Sequence, residues 1–228
     1  MTYALVTGQS VCTTSGTNAT TALASLPSAP TNNNLVVVAT VNCAAATANS
    51  VSDGGSTSYA KQKEVQNGNA TMSIWAGIAN AGTANFTVTW SAKLNGQKET
   101  AIVEFSGAPT TVTLDGTPGS ASGSASDTDP ARTGTVATSN PNSVVVGGVC
   151  YLAGLGSEPV LGAGWTRIGT YNNNREYAAY KIETATESAG TNMATSSSRT
   201  WVGAVVAFAP PSSRVPRGIT NHANPGIF

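Results

Sequence analysis

Apolar and polar residues alternate with a period of two through most of the chain. Phe86, Val88 and Trp90 alternate with Thr87, Thr89 and Ser91, and Met72, Ile74, Ala76 and Ile78 alternate with Ser73, Trp75 and Gly77. Ala101, Val103 and Phe105 share a face opposite Ile102 and Glu104, and Val202, Ala204, Val206 and Phe208 line one face near the other end. Successive strand residues point to opposite sides of a sheet, so this pattern describes half-buried strands. No long stretch carries the i, i+3, i+4, i+7 spacing of an amphipathic helix. Asp53-Gly54-Gly55, Asn67-Gly68, Asn95-Gly96 and Asp115-Gly116 punctuate the strands, because Gly and Asn tolerate the positive φ of tight turns. Strands are predicted near residues 2–7, 18–23, 34–43, 47–52, 57–66, 70–79, 84–91 and 98–106, then 110–114, 131–137, 143–153, 164–170, 176–183, 191–197 and 200–208. Short strands at this spacing predict an all-β protein of antiparallel, jelly-roll-like sandwiches.

Three strand words recur in order. Val37–Cys43 is echoed by Val144–Cys150, which puts Cys43 and Cys150 at matching places. Met72–Ile78 is echoed by Tyr177–Ile182, and Ala101–Pro109 by Ala204–Pro210. Two tandem β-sandwich units related by internal duplication are therefore expected, over residues 1–108 and 109–211. The Gly/Ser-rich run Thr117–Ser126 reads as a flexible loop. Pro210 and Pro211 stop the last strand, and residues 212–228 form a Pro- and Gly-rich tail ending in Ile227-Phe228. That tail is either a disordered terminus or an extended arm that docks on a neighbouring subunit with Phe228 as anchor.

Composition narrows the classes. Only 10% of residues are charged, against about 25% in ordinary soluble proteins. The polar balance is Ser, Thr, Asn and Gly, so the surface can meet other protein with little charge to desolvate. Eleven basic and eleven acidic residues give a formal net charge of zero, and no Lys/Arg run is present. This argues against nucleic acid as a partner and against a polybasic membrane anchor. No apolar run is long enough for a membrane-spanning helix, and Met1–Val6 does not read as a signal peptide. The expectation is a protein made in a cytoplasm or given in mature form. The three cysteines, Cys12, Cys43 and Cys150, include no Cys-x-x-Cys pair. A zinc site is not expected, and burial as small apolar groups is the simplest reading.

No catalytic constellation stands out along the chain. The one histidine, His222, lies in the tail, a poor place for a positioned base. Gly-x-Ser-x-Gly, phosphate-loop and dinucleotide patterns are absent. Glu64, Glu99, Glu104, Glu176 and Glu183 could in principle supply paired carboxylates, but nothing pairs any two of them, and outward solvation is the expected fate. Asp127-Thr128-Asp129 could contribute oxygen ligands to calcium or simply form a turn before Pro130. No metal or cofactor is expected. Trp90 falls with the inward set of its strand. Trp75 and Trp201 fall opposite the main apolar faces of theirs, so each is a candidate for an inter-sheet contact, a subunit interface or a glycan platform. Tyr171 and Phe228 join them as candidate interface or glycan contacts.

The Leu35–Val38 strand, Val51-Ser52-Asp53-Gly54-Gly55 with Tyr59 after it, Ile74-Trp75-Ala76, Phe86–Trp90 and Val103–Gly107 form a familiar series. With Gly164-Trp165-Thr166 and the closing Trp201–Phe208 strand, it resembles β-sandwich virion structural proteins of tailed bacteriophages and prophages. The resemblance spans most of residues 1–209 and carries no catalytic signature. It implies a non-enzymatic capsid decoration or cement protein, assembled in the host cytoplasm, that contacts the major capsid protein or other virion subunits and associates with itself. The alternatives are a carbohydrate-binding or adhesive module of a phage tail or bacterial surface, and a self-assembling extracellular filament subunit.

Overall fold

Nested strand pairs organise the computed structural model, which describes residues 2–15, 19–92, 98–124, 131–152, 158–170, 175–193 and 199–211. In the first half the strands are β1 (Ala4–Ser15), β2 (Thr21–Ser25), β3 (Leu35–Asn42), β4 (Ala48–Ser52), β5 (Ala60–Asn67), β6 (Ala70–Ile78), β7 (Asn85–Trp90) and β8 (Lys98–Ser106). β1 pairs with β8, β2 with β7 and β3 with β6, all antiparallel. This is a long ribbon wound on itself, the jelly-roll arrangement. The result is a five-stranded sheet, β1-β8-β3-β6-β5, facing a three-stranded sheet, β2-β7-β4.

The second half repeats the winding with shorter outer strands. These are β9 (Gly119–Gly123), β10 (Val136–Ala137), β11 (Val144–Tyr151), β12 (Thr166–Arg167), β13 (Glu176–Ile182), β14 (Ser188–Ala189) and β15 (Trp201–Phe208). Its large sheet runs β12-β13-β11-β15-β9, with β10-β14 beside it as a two-stranded layer. Read from β9, the order matches that of the first large sheet read from β1.

The two large sheets pack face to face, β3 across from β11, β6 from β15 and β8 from β13. Their shared layer is the largest apolar cluster in the molecule. Leu35, Val37, Met72, Ile74, Val103 and Phe105 meet Val144, Val146, Tyr180, Val202, Val206 and Phe208. Phe105 and Tyr180 meet edge to face across it, with ring centroids 5.2 Å apart. Two further layers flank it. One holds Val36, Val38, Trp75, Phe86, Val88, Trp90 and Ile102. The other holds Val145, Val149, Tyr151, Trp165, Tyr177, Trp201 and Val205.

This layering explains the sequence. A sheet covered on both faces needs apolar side chains at odd and even positions alike. β3, β11 and β15 are buried at every position, hence their Val-rich runs. In the outer sheet β7 keeps alternate burial, and the edge strand β5 stays largely accessible, with Lys61, Lys63 and Glu64 along it. Charge on an edge strand discourages pairing with another chain.

Some expectations change. Gly119–Gly123 is a strand at the sheet edge, within the run that read as a flexible loop. Its small residues answer to a close backbone approach: a Cβ on Gly119 would lie 2.0 Å from the Thr135 carbonyl oxygen, and one on Gly134 2.7 Å from the Ser120 backbone. The strand expected over 110–114 reduces to a bridge between Leu114 and Phe208, and that over 131–137 to β10 and a bridge between Arg132 and Asn192; of the strand expected over 191–197, residues 194–197 lie outside the described residues. The first echo is also out of step. Leu35 pairs with Ile78 and Phe105, and Val144 with Ile182 and Phe208. Through those partners Cys150 corresponds to Val41, two residues before Cys43.

Candidate functional site

The end of β6 and the turn before β3 form one wall of an open groove of about 570 Å³. Ala76, Ile78, Ala79 and Val112 supply its apolar surface, and Asn33, Asn80, Ser56, Ser58, Thr110 and Thr111 its amides and hydroxyls. No charged side chain lines it among the described residues. Buried carboxylates hold the loops that shape it. Asp53 accepts hydrogen bonds from the Gly55 N–H at 3.0 Å, the Thr57 hydroxyl at 2.7 Å and the Tyr59 hydroxyl at 3.1 Å. Burial, with Asp53 beside it, pushes the Tyr59 phenol well above its ordinary range. Glu104 Oε1 accepts from the Thr31 N–H at 2.8 Å and from Asn34 Nδ2 at 2.6 Å, which fixes the turn leading into β3. The groove is thus a set of short neutral donors and acceptors on a rigid frame. Such a lining suits a neutral polyhydroxy ligand or an uncharged loop of another protein.

At the opposite end of the shared layer, polar groups from both halves are buried together. Glu99 on β8 reaches across, and its carboxylate accepts the Arg175 N–H at 2.9 Å and the Glu176 N–H at 2.7 Å. Burial nevertheless raises the Glu99 pKa. Glu176 is almost completely buried with neither oxygen hydrogen-bonded, and burial, then the nearby Glu99, pushes its carboxyl well above the usual range. Cys43 and Cys150 lie beside this pair with sulfurs 3.7 Å apart. On the other face of the same sheet, Lys98, Asn42 and Thr71 form a cross-strand row. All three are fully buried, with Lys98 Nζ, both Asn42 side-chain polar atoms and Thr71 Oγ1 unpaired. Burial lowers the Lys98 pKa. No group of three or more metal-ligating residues occurs among the described residues.

Of the inter-sheet, subunit-interface and glycan readings open for Trp75 and Trp201, burial between layers fits the inter-sheet contact. Trp75 is 5% exposed, and its strand face, opposite the main core, is covered by the three-stranded sheet. The Lys61 ammonium sits 5.3 Å from the centre of its ring. Trp201 is 4% exposed within the outer layer of the second half. Both are inter-sheet packing residues, and neither presents a ring face to a sugar. Tyr171, Phe228, Asp127 and Asp129 lie outside the described residues. The carboxylates also depart from expectation: Glu99, Glu104 and Glu176 are buried because the strand faces that carry them are interior, and Glu183 is buried just past the end of β13. The groove had no signature in the sequence, since Ser, Thr and Asn in turns are common throughout this chain.

Comparison with protein-family models, with curated proteins and with solved structures finds no match to this chain.

Proposed function

We propose that the chain is a non-enzymatic structural protein of a virion, acting as a decoration or cement protein on a phage shell. The observation that carries this reading is the shared central layer. Two wound sandwiches are fused face to face, so the molecule is a stiff multilayer block. Its apolar side chains are used inside: among described residues the exposed large apolar side chains are Leu23 and Val160. The accessible surface is chiefly short and uncharged, suited to broad contacts with a shell and with further copies of the chain. In this role each contact is weak, and many symmetric repeats supply avidity. The strand words that resemble phage virion proteins point the same way.

The test is to purify native particles on a density gradient and quantify the chain by mass spectrometry against the major shell protein. A fixed ratio near that of the shell protein is the expected result. A few copies per particle would indicate a tail or fibre position, and absence from particles would refute the virion role.

The groove favours a second reading, a carbohydrate-binding or adhesive module. Its neutral hydroxyl and amide lining over an apolar floor matches the surface of a sugar better than that of a charged ligand. A glycan array separates the two: a structural protein gives no signal, and an adhesin gives binding that Asn80→Ala or Thr111→Ala reduces.

A further inference from the structure

Cys43 and Cys150 come from different halves of the chain, 107 positions apart in sequence, and meet across the shared layer with sulfurs 3.7 Å apart. Both are thiols in this structure. Their surroundings are unequal. Cys43 follows the end of β3 and keeps 8% of its surface accessible, whereas Cys150 lies within β11 and is fully buried. The Cys43 sulfur also lies 3.3 Å from the Tyr151 carbonyl oxygen, which holds it against the second half.

We propose that Cys43 and Cys150 are a peroxide-responsive thiol pair that closes into a disulfide and covalently staples the two halves of the stack. The division of labour follows from the geometry. Cys43, the more accessible, is the attacking thiol, and buried Cys150 resolves. The hydrogen bond with Cys150, then the Arg175 side chain, hold Cys43 below the ordinary thiol range despite burial. Burial pushes Cys150 well above that range. Thiolate character and access decide which cysteine reacts first, and a small peroxide suits so narrow an opening.

The chemistry balances with one peroxide. The Cys43 thiolate attacks one oxygen of hydrogen peroxide, and the O–O bond breaks. The departing hydroxide takes up the proton that Cys43 gave up and leaves as water, with Cys43 now a sulfenic acid. The Cys150 sulfur then attacks the Cys43 sulfur. The S–O bond breaks, and the hydroxyl leaves with the Cys150 proton as a second water. Two thiols lose two electrons in total, and the peroxide gains them. Closing the bond requires the sulfurs to approach from 3.7 Å to about 2.05 Å. Cys12, on β1 opposite Ala101 in the same layer, is the third thiol and stays reduced.

The test uses the full chain, purified reduced and treated under native conditions with a few equivalents of hydrogen peroxide. Free thiols are then alkylated in denaturant, and the peptides are mapped without reduction. The expected result is a linked peptide pair containing Cys43 and Cys150, loss of two alkylatable thiols of three, and reversal by dithiothreitol. The urea midpoint of the oxidised protein should rise and return to its starting value on reduction. Cys43→Ser and Cys150→Ser should each abolish the link, with Cys43→Ser also abolishing trapping of a sulfenic acid by dimedone. Full alkylation of both cysteines after treatment would overturn the proposal. So would a link that forms only after the protein is unfolded in urea, or sulfinic acid at Cys43 with no link.

Discussion

Asn33 and Asn142 hold the same backbone conformation at the same place in the two halves. Each has φ of 68°. The Asn33 N–H bonds to the Ala79 carbonyl at 2.9 Å and the Asn142 N–H to the Glu183 carbonyl at 2.9 Å. The return bonds, Ala79 N–H to Asn34 and Glu183 N–H to Ser143, are both 2.8 Å. Each turn sets the register of a central strand, β3 or β11, one residue after the second bond. Asn is one of the few side chains that enters the left-handed region readily.

Replacing either Asn by Val therefore places a β-branched residue where it is strained. Asn33→Val and Asn142→Val are each expected to lower stability by about 1–2 kcal/mol, with the Gly variants close to wild type. Urea unfolding measures both. Equal stability of the Val and Gly variants would show that the turn relaxes to negative φ.

Two glycines on the large sheet of the second half differ in what surrounds them. A Cβ on Gly203 would lie 2.0 Å from the Arg132 carbonyl oxygen, while one on Gly148 would lie 2.4 Å from the terminal methyl of Met72. A methyl at the end of a flexible side chain moves easily, and a paired backbone does not. Gly203→Ala is expected to cost about 1–3 kcal/mol, in the range of overpacking, and Gly148→Ala clearly less. Thermal melts of the two variants decide the order.

Stability should vary with pH in two opposite directions. Although burial pulls Asp115 upward, hydrogen bonds from Ser139, Ser143 and the Asn140 backbone hold it to about 2. Its contribution is present above its ordinary range near 3.8 and is lost as pH falls towards 2. Glu176 is raised well above 4.5 by burial, then Glu99, and Glu183 is raised to about 7 by burial, then Glu187. Their folded forms keep a proton that the unfolded chain releases. That stabilisation is full below about 4.5 and is lost as pH rises towards and through the folded values. The urea midpoint should therefore be higher at pH 5 than at pH 8. Glu176→Gln should raise the midpoint at pH 8 and narrow the difference. A midpoint that rises from pH 5 to pH 8 would contradict the assignment.

Removal of residues 212–228 is expected to leave the melting temperature unchanged and to weaken assembly on particles, if the tail is the arm that clasps a neighbour. Truncated protein that assembles as well as the full chain would remove the arm, and Phe228 with it, from the mechanism.

Much of the fold was legible in the sequence. The strands expected over 34–43, 70–79, 84–91 and 98–106 match β3, β6, β7 and β8 within a residue, because apolar side chains there have one place to go. Reading those strands as parts of two-layer sandwiches misled at particular residues. The face of Trp75, Glu104 and Ile102 meets the three-stranded sheet of its own half, and the opposite face, which a lone sandwich would leave to solvent, is covered by the second half. The same holds for Trp201. Number of layers is a tertiary property that alternation alone does not encode, although Val36-Val37-Val38 already demands two apolar surfaces. Gly119–Gly123 was missed because small residues required by close backbone approach look like those of a flexible linker. The groove was illegible because it is assembled from turns far apart in the chain, each ordinary by itself.

The central claim is that the two halves share one core and behave as one body. Native-state hydrogen exchange followed by peptide mass spectrometry across a urea series tests it most directly. A shared core requires β3, β8, β11 and β15 to open together, with one limiting free energy and one slope against urea. A second half whose amides exchange at clearly lower urea, while β3 and β8 stay protected, would contradict it and leave two sandwiches that merely touch.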